Sequence, residues 1–215
     1  MKKARILLAD DHSFILEGVR RLLENHYDVV GSADNGQALV EAALKLTPNL
    51  VVLDISMPIL NGIDAAKEIK QALPATKLVF LSMHSSGIYL RKALEAGASA
   101  YVLKSGASDE LLKAIESVRN GQSYVSPGFD RNVLDSVRNW PAGSSRAVIE
   151  LTGRQRQILQ LIADGKQNKE IAQILNVSVK TIEFHRGRLM GKLGVHTVAE
   201  LTRFAIQEGL IGKVE

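Results

Sequence analysis

Five short apolar runs, each followed by a segment with helical spacing, constrain the fold of the first half of the chain more strongly than any other feature. Between the runs, apolar residues recur at intervals of three and four, as at Ile15, Val19 and Leu22. Strict alternation of strand and helix predicts an open parallel sheet with helices on both faces. The runs, and therefore the five predicted strands, are residues 5–9, 29–33, 50–53, 77–81 and 100–103.

The chain divides into two predicted domains joined by a linker. The first domain, residues 1–125, closes with a helix that we expect to begin with Ser108 as its N-cap residue. Residues 126–148 lose the periodicity and are rich in Pro, Gly and Ser, which is typical of a linker, with room for one short helix around residues 132–137. The second domain, residues 149–215, has helical periodicity only.

Four short helices are predicted in the second domain, which is therefore a small all-α unit. The first begins with a capping box, in which Thr152 is the N-cap residue and Gln155 lies three positions later. A tight turn at residues 176–178 separates the second helix from the third. The predicted helices are residues 153–163, 168–175, 179–192 and 197–208.

Charge and composition limit the kinds of function that are plausible. The whole formal net charge of +4 falls on residues 127–215, because residues 1–126 carry 14 Lys or Arg and 14 Asp or Glu. A positive excess on the smaller domain suits phosphate-backbone binding. The chain has no cysteine, which excludes disulfides and thiolate metal sites and fits a cytoplasmic location. No apolar stretch approaches the ~18 residues of a membrane span, so no membrane association is expected.

Acidic residues gather at the expected carboxyl ends of the strands, where open parallel sheets bind their ligands. Asp10 and Asp11 follow the first strand, Asp54 the third, Ser82 the fourth and Lys104 the fifth. Converging carboxylates repel one another unless a cation neutralises them, and an oxygen-seeking ion such as Mg²⁺ is the expected cation. The lysine and the hydroxyl suit an anionic group with several oxygens, which is a phosphoryl group. Each motif taken singly could also be a solvated turn.

This set of residues resembles the site of receiver domains in two-component response regulators, over residues 4–122. The loop DISMPILNG, residues 54–62, matches the loop that follows the receiver's phosphorylated aspartate, and Tyr101 lies at the aromatic switch position. The resemblance implies a flavodoxin-like (βα)5 fold with sheet order 2-1-3-4-5. It also implies that Asp54 accepts a phosphoryl group from a sensor histidine kinase or a small phosphodonor, assisted by Ser82 and Lys104. The implied Mg²⁺ ligands are Asp11 directly, Asp10 mainly through water, Asp54, and the backbone carbonyl of Ser56.

The second domain resembles the LuxR-type helix-turn-helix of the NarL/FixJ class of response regulators, over residues 151–210. The shared motifs are NKEIA at residues 168–172, SVKTI at 178–182, HR at 185–186 and KLGV at 192–195. By this resemblance the third helix of the domain reads double-stranded DNA.

The predicted recognition helix has one apolar and one polar face. Ile182, Leu189 and Leu193 recur at seven and four positions and should face the core. In an isolated helix the other face would be a solvated charged surface, but after a tight turn it indicates DNA contact. The expected phosphate contacts are Lys169, Lys180, Arg186, Arg188 and Lys192, and the expected base contacts are Thr181, Glu183, Phe184 and Gly187.

Together these features predict a DNA-binding transcriptional response regulator that is controlled by Mg²⁺-dependent phosphorylation of Asp54 and forms a homodimer when phosphorylated. One alternative is a DNA-binding regulator whose receiver is never phosphorylated and serves for dimerisation. Another is an aspartyl phosphatase or phosphotransferase, but those enzymes usually carry a second acid two residues after the nucleophile, where this chain has Ser56. A dedicated enzyme is therefore not expected. Residues Val198, Leu201 and Ala205 of the last helix could form a dimer face or pack within the domain.

Overall fold

The computed structural model describes residues 3–129 and 151–207, which fall into two compact units. The short helix predicted around residues 132–137 lies outside the described residues. Within the described ranges, no helix is both long enough and apolar enough to cross a membrane.

A six-stranded parallel sheet forms the centre of the first unit. Its strand order is β2-β1-β3-β4-β5-β6, which confirms the predicted order 2-1-3-4-5. The sixth strand was not predicted, because two residues beside β5 do not stand out as an apolar run. The second strand begins one residue earlier than predicted, and the fourth includes Ser82. The strands are β1 Arg5–Ala9, β2 Asp28–Ala33, β3 Leu50–Leu53, β4 Lys77–Ser82, β5 Ala100–Leu103 and β6 Tyr124–Val125.

Helices cover both faces of this sheet. The helices α1 and α5 pack on the core that contains Leu8, Val52 and Leu81, while α2, α3 and α4 contact one another in sequence. All residues of β3 and β5 are buried, which explains why these strands read as continuous apolar runs rather than alternating ones. The helices are α1 Ser13–Glu24, α2 Gly36–Leu46, α3 Gly62–Ala72, α4 Gly87–Glu95 and α5 Ala107–Arg119.

The start of α5 differs from the prediction. The N-cap residue is Gly106, not Ser108, because a 3₁₀ turn over Lys104–Gly106 leads the chain directly from β5 into the helix. The helix therefore begins one residue before Ser108.

Residues 151–207, the described part of the second unit, form four helices whose bounds agree with the predicted ones to within a residue. The predicted capping box is confirmed: the Thr152 hydroxyl accepts the N–H of Gln155 at 3.3 Å, and the side-chain oxygen of Gln155 accepts the N–H of Thr152 at 3.0 Å. Asn176 has a positive φ of 50° in the turn before the third helix, a conformation that asparagine tolerates well. The helices are α6 Gly153–Ala163, α7 Asn168–Ile174, α8 Val179–Leu193 and α9 Val198–Gln207.

Candidate functional site

Asp54 lies at the carboxyl end of β3 and is only 4% exposed. Its backbone N–H donates to the carbonyl of Ala9 at 2.9 Å, which fixes it next to the end of β1. One carboxylate oxygen, Oδ1, accepts the N–H of Ile55 at 2.6 Å. Burial raises the pKa of Asp54 above its ordinary value, although the charge and the hydrogen bond of Lys104 act in the opposite direction. The structure thus holds the buried carboxylate of Asp54 in a fixed orientation.

Lys104 joins the two buried acids of this site. Its Nζ donates to Oδ2 of Asp54 at 2.8 Å and lies 2.7 Å from Oδ2 of Asp10, and all three side chains are nearly inaccessible to solvent. Burial acts to lower the pKa of Lys104. The negative charges of the two acids and their hydrogen bonds with Lys104 outweigh this effect and raise the pKa above its ordinary value. The lysine is therefore a fixed positive charge at neutral pH, as an anionic ligand at this position would require.

Asp11 and His12 form the outer rim of the site. Nδ1 of His12 lies 2.8 Å from Oδ1 of Asp11 and 3.2 Å from Oδ1 of Asp10. One ligand atom from each of these three residues lies within 4.8 Å of the others. Two carboxylates beside the buried Asp54 form an oxygen-rich donor set, which fits a hard divalent cation such as Mg²⁺. Asp10 therefore connects the two parts of the site: it lies next to Asp11 at the rim, and it shares Lys104 with Asp54.

Ser82 and the adjacent loop bring a histidine to the site. The Ser82 hydroxyl is fully buried and accepts the N–H of His84 at 3.3 Å. Nε2 of His84 lies 2.8 Å from Oγ of Ser56, and its ring stacks on Tyr89 at a centroid distance of 3.9 Å. Burial lowers the pKa of His84, so the imidazole is neutral at neutral pH. Sequence analysis did not identify Tyr89, because a tyrosine on an amphipathic helix carries no sign of what it contacts.

Tyr101, the predicted switch residue, is completely buried. Its hydroxyl donates to the carbonyl of His84 at 2.8 Å, and burial raises its pKa well above the ordinary value, so that it stays a hydrogen-bond donor. Its ring stacks with Phe80 and meets the edge of Phe129. The side chain thus points inward, below the loop that follows Ser82.

In the second unit, α8 has the two faces that were predicted for the recognition helix. Ile182 and Leu189 are fully buried and Leu193 packs against the same core. The Ser178 side chain caps the helix by accepting the N–H of Thr181 at 3.1 Å. Of the predicted DNA contacts, Thr181 and Arg186 are half-buried, and the exposed ones are Lys169, Lys180, Glu183, Phe184, Gly187, Arg188 and Lys192.

Several of the predicted contacts have partners within the unit. Arg186 points toward α7, where its Nη1 lies 3.4 Å from Oδ1 of Asn168. Arg188 lies over the ring of Phe184, 5.5 Å from its centroid, although Phe184 is 60% exposed. A large aromatic ring that is exposed in the middle of a charged helix face is available for contact with another molecule.

The last helix uses two of its three predicted apolar residues within the unit. Leu201 and Ala205 are fully buried in the helical core, and only Val198 is substantially exposed. Of the two interpretations left open for these residues, intradomain packing is the one that the structure supports for Leu201 and Ala205.

Comparison with known proteins gives the same two-part division. Residues 6–116 match the family model of the response regulator receiver domain, and residues 150–205 match that of the bacterial regulatory proteins of the luxR family. The chain is 40% identical over 215 residues to the transcriptional regulatory protein MctR of Rhizobium johnstonii, covering 99% of this chain and 97% of that protein. It is 33% identical to the response regulator UvrY of Escherichia coli, covering 95% and 94% of the two chains.

Solved structures of RcsB, a response regulator of Salmonella, are similar over nearly the full length. One has a TM-score of 0.61 at 29% identity and covers 97% of this chain and 99% of its own. Another, in which RcsB is bound to a promoter in the presence of the phosphomimetic BeF₃⁻, has a TM-score of 0.58 at 30% identity and covers 94% and 98% of the two chains. The chain therefore belongs to the transcriptional response regulators of two-component systems, in which a receiver domain is joined to a LuxR-type DNA-binding domain.

Proposed function

We propose that this response regulator accepts a phosphoryl group on Asp54 from a sensor histidine kinase, in a Mg²⁺-dependent reaction, and that phosphorylation promotes binding of a homodimer to promoter DNA. The observation that carries the proposal is the buried carboxylate of Asp54, whose Oδ2 accepts a hydrogen bond from Lys104 Nζ at 2.8 Å beside two further acids. An aspartate that only stabilised the fold would not need this surplus of negative charge around it.

Phosphoryl transfer to Asp54 requires positioning and charge neutralisation more than covalent catalysis. A carboxylate oxygen of Asp54 attacks the phosphorus atom, a P–O bond forms, and the P–N bond of the phosphohistidine donor breaks so that the imidazole leaves with its electron pair. Lys104 then pairs with the new anionic oxygens instead of the bare carboxylate. The Ser82 hydroxyl accepts the N–H of His84 and is also hydrogen-bonded to the Tyr101 side chain, so it would turn from Tyr101 to donate its proton to the same group.

The metal would be held by Asp10, Asp11, Asp54 and the backbone carbonyl of Ser56. When bound, Mg²⁺ supplies positive charge that offsets the oxygens of the phosphoryl group. Asp10 and Asp11 suit metal binding, because their carboxylates lie close together at the rim.

The DNA-binding part of the proposal relies on the exposed face of α8 and on the similarity to RcsB, which has been solved in complex with DNA and as two dimers on two parallel DNAs. Lys169, Lys180, Arg188 and Lys192 are exposed cations that suit phosphate contacts. Glu183 and Phe184 suit base contacts, with cytosine N4 and with a thymine methyl group respectively.

Replacement of Asp54 by asparagine is expected to abolish phosphoryl uptake. Incubation of the full chain with phosphoramidate and Mg²⁺, followed by intact mass measurement, should show one acid-labile phosphoryl group on the native protein and none on Asp54→Asn. Asp34→Asn is the matched control, because Asp34 also follows a strand directly but is exposed and lies outside the site.

The same experiment separates the proposal from its alternatives. Lack of uptake by the native chain would favour a receiver that serves only for dimerisation, and rapid turnover without a stable adduct would favour an enzyme. Genomic footprinting with and without phosphoramidate then tests the second half of the proposal: occupancy that does not change with phosphorylation would contradict it.

Replacement of Gly187 by alanine is expected to stabilise the DNA-binding domain and to weaken DNA binding. An added Cβ at Gly187 or Gly191 would meet no atom within 4 Å, so each substitution should stabilise α8 by up to about 1 kcal/mol. Of the two, only Gly187 belongs to the base contacts expected from the sequence. Urea denaturation should show both gains, and DNA titration should show weaker binding for Gly187→Ala only; equal affinities would remove Gly187 from the DNA interface.

A further inference from the structure

We infer that Ser126 and Phe129 are positioning residues that couple the phosphorylation site to the start of the interdomain linker by holding the end of β5. This inference rests on the proposed phosphorylation of Asp54. Both residues lie beyond the predicted boundary of the receiver at residue 125, yet both are buried in the receiver unit. The packed receiver therefore continues to at least Phe129.

Ser126 is hydrogen-bonded to β5 through both its backbone and its side chain. Its N–H donates to the carbonyl of Tyr101 at 2.9 Å, and its Oγ accepts the N–H of Leu103 at 2.9 Å. The hydroxyl also donates to a carboxylate oxygen of Glu110 on α5. The next residue after Leu103 is Lys104, whose Nζ binds Asp54. Ser126 is thus linked to the backbone that carries the lysine of the site.

Phe129 contacts the switch residue itself. Its side chain is 4% exposed, and its ring meets that of Tyr101 edge-on, at a centroid distance of 5.3 Å and an angle of 78°. Such an arrangement contributes beyond the burial of the two rings. The preceding Gly128 approaches Leu103 so closely that an added Cβ would lie 3.0 Å from its Cδ1. The segment 126–129 is therefore fitted against the last three residues of β5.

Phe129 can contact the ring of Tyr101 because the Tyr101 side chain points inward. The Tyr101 hydroxyl donates to the carbonyl of His84, in the loop that follows Ser82. A phosphoryl group on Asp54 would attract Ser82 and Lys104, at the ends of β4 and β5, and so stabilise this arrangement. An outward Tyr101 would remove the edge contact and release Phe129. The predicted linker begins at this segment. A change at Tyr101 can therefore reach the linker through Phe129, without a contact between the two domains.

The test compares the full-length native chain with Phe129→Ala in the presence and absence of BeF₃⁻ and Mg²⁺. The probe is a duplex selected from a random-sequence pool by the BeF₃⁻-treated native chain. The gain in DNA affinity on addition of BeF₃⁻ should fall by about fivefold or more in the variant, the usual range of coupling between sites. Uptake of a phosphoryl group from phosphoramidate at Asp54 should stay within about twofold of native, since Phe129 does not touch the reacting groups.

Further variants separate coupling from loss of stability. Tyr27→Ala also removes a buried aromatic ring from the receiver, but that ring lies in the core cluster under α1 and α5, in which Tyr101 has no part; it should keep the native gain. Phe129→Leu keeps an apolar side chain and should fold if Phe129→Ala does not. In a Tyr101→Leu background, Phe129→Leu should cause no further loss.

The outcomes are distinct. The inference would be overturned if Phe129→Ala and Phe129→Leu kept the native gain in DNA affinity on addition of BeF₃⁻. It would also be overturned if Tyr27→Ala lost as much of that gain as Phe129→Ala does. A failure of the native chain to take up a phosphoryl group would instead contradict the proposed function, and would be seen in the mass measurement before any DNA is added.

Discussion

Replacing Gly62 by alanine is expected to lower the free energy of unfolding of the receiver domain by at least about 3 kcal/mol, the upper end of the usual cost of overpacking. An added Cβ would lie 1.8 Å from the backbone carbonyl oxygen of Asp54 and 3.1 Å from Cα of Ile55. Both are backbone atoms, which cannot swing aside as the end of a side chain can. The first residue of α3 or the end of β3 must therefore move.

The displaced backbone is the one that carries the phosphorylated residue. Gly62 donates its N–H to the carbonyl of Ile55 at 2.9 Å, so the helix start and the residue after Asp54 are held together. Because Oδ1 of Asp54 depends on the N–H of Ile55, a shift here also misplaces the carboxylate. The variant should therefore take up a phosphoryl group from phosphoramidate more slowly, even at a temperature at which it remains folded.

Gly18→Ala is the matched control for this prediction. Gly18 lies on the exposed side of α1 in the same domain, and an added Cβ there would meet no atom within 4 Å. It should be stabilising by up to about 1 kcal/mol. Urea denaturation, with hydrogen exchange of the β3 amides as the measure of receiver unfolding, checks both variants. A Gly62→Ala protein as stable as Gly18→Ala would show that the loop after Asp54 is not tightly packed.

The fold and the position of the acids could be predicted from the sequence because both follow from the chain's local pattern. Strands that are buried on both faces must be continuous apolar runs, as β3 and β5 are. Parallel strands end at the same edge of the sheet, so the residues that follow them must converge. The proximity of Asp10, Asp54 and Lys104 could therefore be predicted without knowing any individual contact.

Contacts between distant segments could not be predicted in this way. Ser126 and Phe129 were assigned to the linker because a Ser-Pro-Gly sequence is typical of a loop, and their partners Tyr101 and Leu103 lie more than 20 positions away. The charge of Arg186 predicts a phosphate contact, which stays a prediction, but nothing in the periodicity indicates its partner Asn168 on α7. Side-chain partners depend on packing, which a periodic pattern does not specify.

Replacing Lys104 by methionine, with divalent metal removed, is expected to lower the free energy of unfolding of the receiver by about 3–5 kcal/mol at neutral pH. Methionine keeps most of the length of lysine but has no charge. The Nζ of Lys104 lies 2.7 Å from Asp10 and 2.8 Å from Asp54, and both acids are nearly inaccessible to solvent. Without it, two buried carboxylates face each other with no cation between them.

The loss of stability should depend on pH in a definite direction. Burial already raises the pKa of Asp54 above its ordinary value of 3.8, and loss of Lys104 removes the interactions that lower it. A raised pKa in the folded state means that stability is lost as the pH rises through that pKa and regained as the pH falls. The variant should therefore approach native stability in acid. The contribution of Lys104 itself is present below its own raised pKa, so it is complete at neutral pH in the native protein.

The stability of Lys104→Met should also depend on Mg²⁺, because the proposed metal and the lysine neutralise the same carboxylates. Added Mg²⁺ should stabilise Lys104→Met more than the native receiver, by binding more tightly to acids that have lost their internal cation. Arg21→Met is the control: Arg21 pairs with Glu17 at 2.8 Å on the exposed side of α1, and its loss should cost less than about 1 kcal/mol. Mg²⁺ should stabilise this variant only as much as it stabilises the native chain, because the acidic site is intact. If Mg²⁺ stabilises the native chain and Lys104→Met equally, the metal does not bind to Asp10 and Asp54, and the proposed ligand set is wrong.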